Sequence, residues 1–128
     1  MKNLLIDTNI YSNALNGDTE TIKVLQRAQN ISISAISIGE LLSGFKAGSR
    51  EKKNREELAE FLDSPRVQIR IIDEDTAEFY AEILGGLRKK GKPIPTNDIW
   101  IASIALQHGL KLYTHDQHFK SVPGLVFA

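Results

Sequence analysis

Pro93-Ile94-Pro95-Thr96-Asn97-Asp98-Ile99-Trp100-Ile101-Ala102 is the stretch on which the fold turns. Each proline fixes its own φ and disfavours helix for the residue before it, so any preceding helix stops here. Thr96 or Asn97 then predicts a helix N-cap. Asp98 falls in the first turn, and the run after it to Leu106 is mostly apolar. A helix this apolar is buried around most of its circumference. The pattern sets a carboxylate at the mouth of a core helix, where only Asp98 and its polar neighbours meet solvent.

Outward from this helix, strands and helical stretches alternate. Downstream, Gly109 signals its C-cap, Lys111 to Thr114 reads as a strand, and Val122 to Phe127 as a turn and a last short edge strand. Upstream, Asp75 or Thr76 starts a helix through Phe79, Tyr80, Ile83, Leu84 and Leu87 to about Lys90. Gly85-Gly86 inside it costs about 1 kcal/mol per glycine relative to alanine, which predicts close approach of another backbone. Val67, Ile69, Ile71 and Ile72 form a strand ending at Asp73, and Arg50 to Asp63 an amphipathic surface helix stopped by Ser64-Pro65. Before these, Ser37 is expected to cap a helix through Leu41, Leu42 and Phe45 to about Gly48, with Glu40 three residues after the cap. Ile31 to Ala35 alternates as a strand does, and Thr19 to Ala28 has helical spacing behind Asp18 or Thr19. Ile10 to Leu15 makes a helical turn or two. Asn3-Leu4-Leu5-Ile6 is a buried strand bounded by Asp7-Thr8-Asn9. Such alternation predicts an α/β fold: right-handed crossovers and a central parallel sheet covered by helices on both faces.

The 128 residues are expected to form a single domain over 1–128 with a substantial core, at 41% hydrophobic and 25% charged residues. There is no cysteine, hence no disulfide framework and no thiolate metal site. The N-terminus runs straight into Leu4-Leu5-Ile6-Asp7, too soon for a signal peptide or membrane span, so a cytoplasmic location and no membrane contact are expected. Sixteen acids balance sixteen Lys and Arg. Zero net charge excludes nucleic-acid binding by bulk charge, so any such contact is local. Basic residues cluster at Lys46, Arg50, Lys52, Lys53 and Arg55, and again at Arg88, Lys89, Lys90 and Lys92. Such runs also serve as solvated faces or complements to a helix C-terminus.

The site of an open parallel sheet forms beyond the carboxyl ends of its strands. Asp7 is the first residue past the first strand, Asp116 lies just past Leu112-Tyr113-Thr114, and Glu40 opens the helix after the second strand. Asp98 precedes a strand, and joins the others only if the Pro93–Asn97 connection brings its helix N-terminus to the same edge. Each acid alone has a capping role to explain it: Glu40 in a Ser37-x-x-Glu40 box, Asp98 against a helix dipole, Asp7 at the Thr8-Asn9 turn, Asp116 at a short helix around Phe119. Together they are a candidate cation site. Two carboxylates about 4 Å apart repel by a few kcal/mol at an effective dielectric of about 20, so a cluster takes up protons or a cation. All-oxygen ligation suits Mg2+ or Mn2+ rather than zinc. A hard cation in a water-accessible acidic pocket points to phosphoryl chemistry, with Thr8, Asn9 and Thr114 as ordinary turn residues or as groups orienting water, metal or phosphate. His115 and His118 flank Asp116, but neither cysteine nor a helical His pair supports a transition-metal site there. No Gly-rich phosphate loop and no nucleophile elbow occurs.

Leu5-Ile6-Asp7-Thr8-Asn9, Ile36-Ser37-Ile38-Gly39-Glu40-Leu41-Leu42, Ile94 to Ala102 and Thr114-His115-Asp116-x-x-Phe119, in that order, resemble the PIN-domain ribonucleases. Within them the chain is most similar to the VapC-type toxins of toxin–antitoxin pairs, over essentially its whole length. The resemblance implies a three-layer α/β/α sandwich and a Mg2+- or Mn2+-dependent endoribonuclease that cuts an RNA phosphodiester with an activated water. Asp7 and Asp98 match its principal metal ligands; Glu40 and Asp116 match the acids that bind or orient the metal and the water. It further implies a homodimer whose acidic pockets line a basic groove, an antitoxin protein that silences it with a side chain near the pocket, and Arg88 with the basic run after it as RNA contacts.

Two other classes compete. A phosphatase or phosphoacceptor domain also uses an Asp after the first strand, although Asn9 stands where a haloacid-dehalogenase pattern wants a second Asp. A non-catalytic module would only pair with a partner protein or RNA.

Overall fold

The computed structural model describes residues 3–128. The order is β1 (Asn3–Ile6), α1 (Thr8–Leu15), α2 (Thr19–Arg27), β2 (Asn30–Ser34), α3 (Ala35–Ala47), α4 (Glu51–Leu62), β3 (Val67–Arg70), α5 (Glu74–Lys90), α6 (Thr96–His108) and β4 (Lys111–Tyr113), then a 3-10 helix, Gln117–Ser121. The strands form one four-stranded sheet in the order β3-β2-β1-β4, and every pairing is parallel.

Successive strand residues face opposite sides, and the core divides accordingly. Leu4, Ile6, Ile31 and Ile33 pack with Ile10 and Tyr11 of α1, Leu25 of α2, Leu41 of α3 and Leu58 of α4. Leu5 and Leu112 pack on the other face with Ile83 and Leu87 of α5, Ile99, Ile101 and Ile104 of α6, and Phe119. The result is the expected α/β/α sandwich around a parallel sheet. Each fully buried Leu, Ile or Phe contributes about 1.5–3 kcal/mol relative to exposure. Helix α6 is the core helix its composition predicts, with Ile99, Ile101, Ala102, Ser103, Ile104 and Ala105 all buried. Ser103 satisfies its hydroxyl by donating to the Ile99 carbonyl at 2.6 Å. Among the described residues no helix is long and apolar enough to cross a membrane.

Several local expectations are corrected, two of them at the site. Helix α3 begins directly where β2 ends, and Ser34, not Ser37, is its N-cap: the Ser34 hydroxyl accepts from the Ser37 N–H at 3.0 Å. The Ser37–Glu40 capping box therefore does not form, and Glu40 sits in the second turn with its carboxylate free. Helix α6 starts at Thr96 behind Pro95, whose carbonyl accepts from the N–H groups of Asp98 and Ile99. Neither Thr96 nor Asn97 caps it, which leaves the Asn97 amide available. Asp73 rather than Asp75 or Thr76 caps α5, in a reciprocal box with Thr76. No backbone approaches Gly85 or Gly86: a Cβ at either would meet nothing within 4 Å. Strand β3 is shorter than its pattern because it lies at the sheet edge, where Ile69 and Ile71 are 46% and 64% exposed. The last strand reduces to one bridge, Leu112 to Phe127.

Candidate metal-binding active site

The site follows from register. Ile6 of β1 pairs with Tyr113 of β4 in a parallel ladder, so the next residue on each strand, Asp7 and Thr114, emerges at the same edge of the sheet. The Thr114 hydroxyl donates to Asp7 Oδ2 at 2.5 Å. Asp7 is also the N-cap of α1, its Oδ1 accepting from the Ile10 N–H at 3.0 Å. The same Thr114 oxygen accepts from the Asp116 N–H at 3.0 Å, which turns the chain so that Asp116 caps the 3-10 helix. Phe119, fully buried, pins that helix to the core.

Glu40 and Asp98 arrive from the helical layers. Thr8 donates to Glu40 Oε1 at 2.5 Å, and the Asn97 amide donates to Glu40 Oε2 at 3.2 Å. These bonds tie α3 to the starts of α1 and α6, and Asp98 follows Asn97 in the first turn of α6. The Pro93–Asn97 connection thus brings the α6 N-terminus to the sheet edge that carries Asp7 and Asp116. All four acids line one cleft of about 390 Å³, together with Thr8, Asn9, Asn97 and His118. Among the described residues no lysine or arginine lines it.

The electrostatics agree with the geometry. Burial pushes the Asp7 carboxyl above its ordinary value, against the opposing Thr114 and Ile10 hydrogen bonds, and the nearby Asp116 charge adds to the rise. Burial likewise raises Asp98, against the His118 hydrogen bond, with Asp116 and Glu40 adding. Each acid is felt by at least one other, and the only cationic-type side chain among them is an imidazole. An oxygen-rich, uncompensated donor set of this kind fits a hard divalent cation. The ligand atoms of Asp98, Asp116 and His118 all lie within 4.8 Å of one another.

Other candidate residues fall elsewhere. Arg88 is exposed in the last turn of α5 and does not line the cleft. Asn9 lines it; Thr114 acts on it through Asp7. His115 does not line the cleft and meets the Tyr113 ring edge-on at a centroid distance of 5.6 Å, near enough to Asp7 to oppose the rise of its carboxyl. His118 does the opposite: its Nδ1 stands 3.2 Å from Asp98 Oδ2 and 3.1 Å from Asp116 Oδ1. Sequence reasoning named this histidine only within a discounted pair, and it did not foresee Asn97 as a partner of Glu40. The Asp-x-His spacing was the available signal for His118, because an Asp that caps a tight turn is bonded by the N–H two residues on, here at 3.0 Å.

The PIN domain family matches residues 4–125 of the chain. Ribonuclease VapC2 of Rickettsia felis is 30% identical over 127 residues, spanning 95% of this chain and 93% of its own. Ribonuclease VapC4 of Mycobacterium tuberculosis is 30% identical over 91 residues, 71% of this chain and 70% of its own. A chain in the crystal structure of VapBC2 from Rickettsia felis bound to a DNA fragment from their promoter aligns with a TM-score of 0.87 and 28% identity, over 100% of this chain and 98% of that one.

Proposed function

The chain belongs to the PIN-domain family, and on that premise we propose that it is a divalent-metal-dependent endoribonuclease, the toxin of a toxin–antitoxin pair. The observation that carries this reading is the convergence of Asp7, Glu40, Asp98 and Asp116 in one cleft that, among the described residues, no lysine or arginine lines. These four residues would hold Mg2+ or Mn2+. A cation bound by them supplies Lewis acidity, lowering the pKa of water and offsetting charge on a phosphodiester oxygen.

The chain's own residues do the rest. Asp7 is the most enclosed acid, 6% exposed, and it is held by Thr114 and the Ile10 N–H, so its oxygens cannot wander. Thr8 and Asn97 hold both oxygens of Glu40, which keeps that carboxylate aimed into the cleft. Asp116 is half-buried at the cleft and accepts from the His118 N–H, a position suited to orienting the attacking water. Asn9 offers an amide at the cleft wall for a phosphate or ribose oxygen. Arg88, Lys89, Lys90 and Lys92 precede the cleft-lining Pro95 along the chain and supply cations for an RNA backbone without entering the cleft.

The partner reading rests on relatives: VapBC2 of Rickettsia felis and VapBC-1 of Haemophilus influenzae were solved as toxin–antitoxin assemblies. An antitoxin protein is the corresponding partner here, and a homodimer the corresponding assembly.

RNA cleavage by the purified chain tests the function. Cleavage is expected to require Mn2+ or Mg2+, to stop with EDTA, and to fall by about three orders of magnitude in Asp7→Asn or Asp98→Asn, equivalent to about 4 kcal/mol of barrier. Undiminished cleavage by both variants contradicts the proposal.

A further inference from the structure

The feature that the carboxylate-only reading leaves unused is the His118 ring. Its Nδ1 lies within hydrogen-bond distance of two carboxylates on different elements, Asp98 of α6 at 3.2 Å and Asp116 after β4 at 3.1 Å. Adjacent ligands of one octahedral divalent ion, with bonds of about 2.1 Å, stand about 3.0 Å apart. The two distances from Nδ1 therefore match the spacing of neighbouring ligands on a single ion, and ligand atoms of all three residues lie within 4.8 Å of one another. The ring is also held rather than free: Asp116 fixes the His118 backbone, and the next residue, Phe119, is fully buried.

We propose that His118 is a ligand of the divalent cation, giving the cleft one nitrogen donor beside its carboxylate oxygens, and that it biases the site toward Mn2+ over Mg2+. This rests on the metal-dependent reading above and sharpens it. Imidazole suits borderline transition ions, whereas Mg2+ prefers an all-oxygen shell and holds its water tightly. In the tautomer that carries its proton on Nε2, Nδ1 has a lone pair free to bind the ion beside Asp98 and Asp116. In the cation-free protein the other tautomer, with the proton on Nδ1, donates to Asp98 Oδ2 instead. One ring thus serves both states by moving a proton between its nitrogens. His115 does not line the cleft; its ring packs edge-on against Tyr113.

Mn2+ and Mg2+ titrations of the wild-type chain and of His118→Ala, with pulsed EPR of the Mn2+ complexes, test this. The His118 side chain is 52% exposed, so its truncation leaves the core intact. Wild type is expected to show nitrogen-14 modulation from a directly bonded imidazole, and His118→Ala to lose it. Mn2+ affinity is expected to fall about tenfold or more in the variant, with Mg2+ affinity changing by less than about threefold. Mn2+ bound by wild type without nitrogen modulation, modulation that persists in His118→Ala, or an unchanged Mn2+/Mg2+ ratio overturns the assignment and leaves the carboxylate site standing. Failure of wild type to bind Mn2+ at all overturns both.

Discussion

Asp98 shows at the scale of one residue how function is set against stability. Its carboxyl and that of Asp7 are raised above the ordinary aspartate value of 3.8, first by burial. A raised acid binds more protons folded than unfolded, so its contribution to stability is complete below the unfolded value and disappears as pH rises through the folded one. Asp18 and Asp73, which are lowered by hydrogen bonds from Thr21 and Thr76, act in the opposite sense: their contribution is present above 3.8 and lost as pH falls. Above the raised folded values the cation-free cleft therefore carries ionised acids that burial disfavours. Asp98→Asn is expected to raise the Tm of the cation-free protein near pH 7, and this advantage should vanish below about pH 3.8, where the native acid is protonated too. Thermal melts at both pH values check it. A lower Tm at neutral pH would show that Asp98 is held by contacts rather than strained. The four acids that line the cleft were readable from their positions after strands and near helix starts. His118 was not, because its partners come from α6 and from the β4 edge, and only tertiary packing sets Asp98 beside Asp116.

At the scale of elements, what was hardest to read was where helices begin. Ser34 and Ser37 are both plausible caps, three residues apart, and the choice decides whether Glu40 is tied to its own helix or free for the cleft. The structure chooses Ser34 because β2 passes into α3 with no loop, which places the Ser34 hydroxyl over the Ser37 N–H. Pro95 similarly displaces Thr96 and Asn97 as cap, and Asn97 goes to Glu40 instead. The strands after which the acids sit were legible because short Ile- and Leu-rich runs ending in polar turns leave little choice. The Gly85-Gly86 pair was read as a close approach that does not occur, since glycine in a helix signals low propensity as readily as tight packing. A Cβ at either position would meet nothing within 4 Å. Gly85→Ala and Gly86→Ala are each expected to stabilise the chain by about 0.5–1 kcal/mol in denaturant unfolding. Destabilisation by either would mean that this face of α5 is covered in the native assembly.

Across the whole molecule, the parallel sheet and its two helical layers exist to bring distant acids to one edge. Asp7 and Asp116 follow the neighbouring strands β1 and β4, Glu40 comes from the layer on one face and Asp98 from the layer on the other. A cation that binds only the folded cleft stabilises the fold by mass action, by about 2.7 kcal/mol at a concentration 100 times its Kd. Addition of Mn2+ should therefore raise the Tm of wild type and leave that of Asp98→Asn nearly unchanged. The rise should shrink as pH falls, because Asp7 and Asp98 take up protons above the ordinary carboxylate range and protons compete with the ion. An equal rise in the variant would place the ion elsewhere. The overall architecture was legible because alternation of strand and helix leaves one class of fold, whereas zero net charge said nothing of a cleft that gathers four acids. The most direct measurement is anomalous diffraction at the manganese edge from crystals grown with Mn2+. The account predicts a peak inside the cleft, within coordination distance of Asp7, Asp98 and at least one of Glu40 and Asp116. A peak bound elsewhere, or an empty cleft at saturating Mn2+, contradicts it.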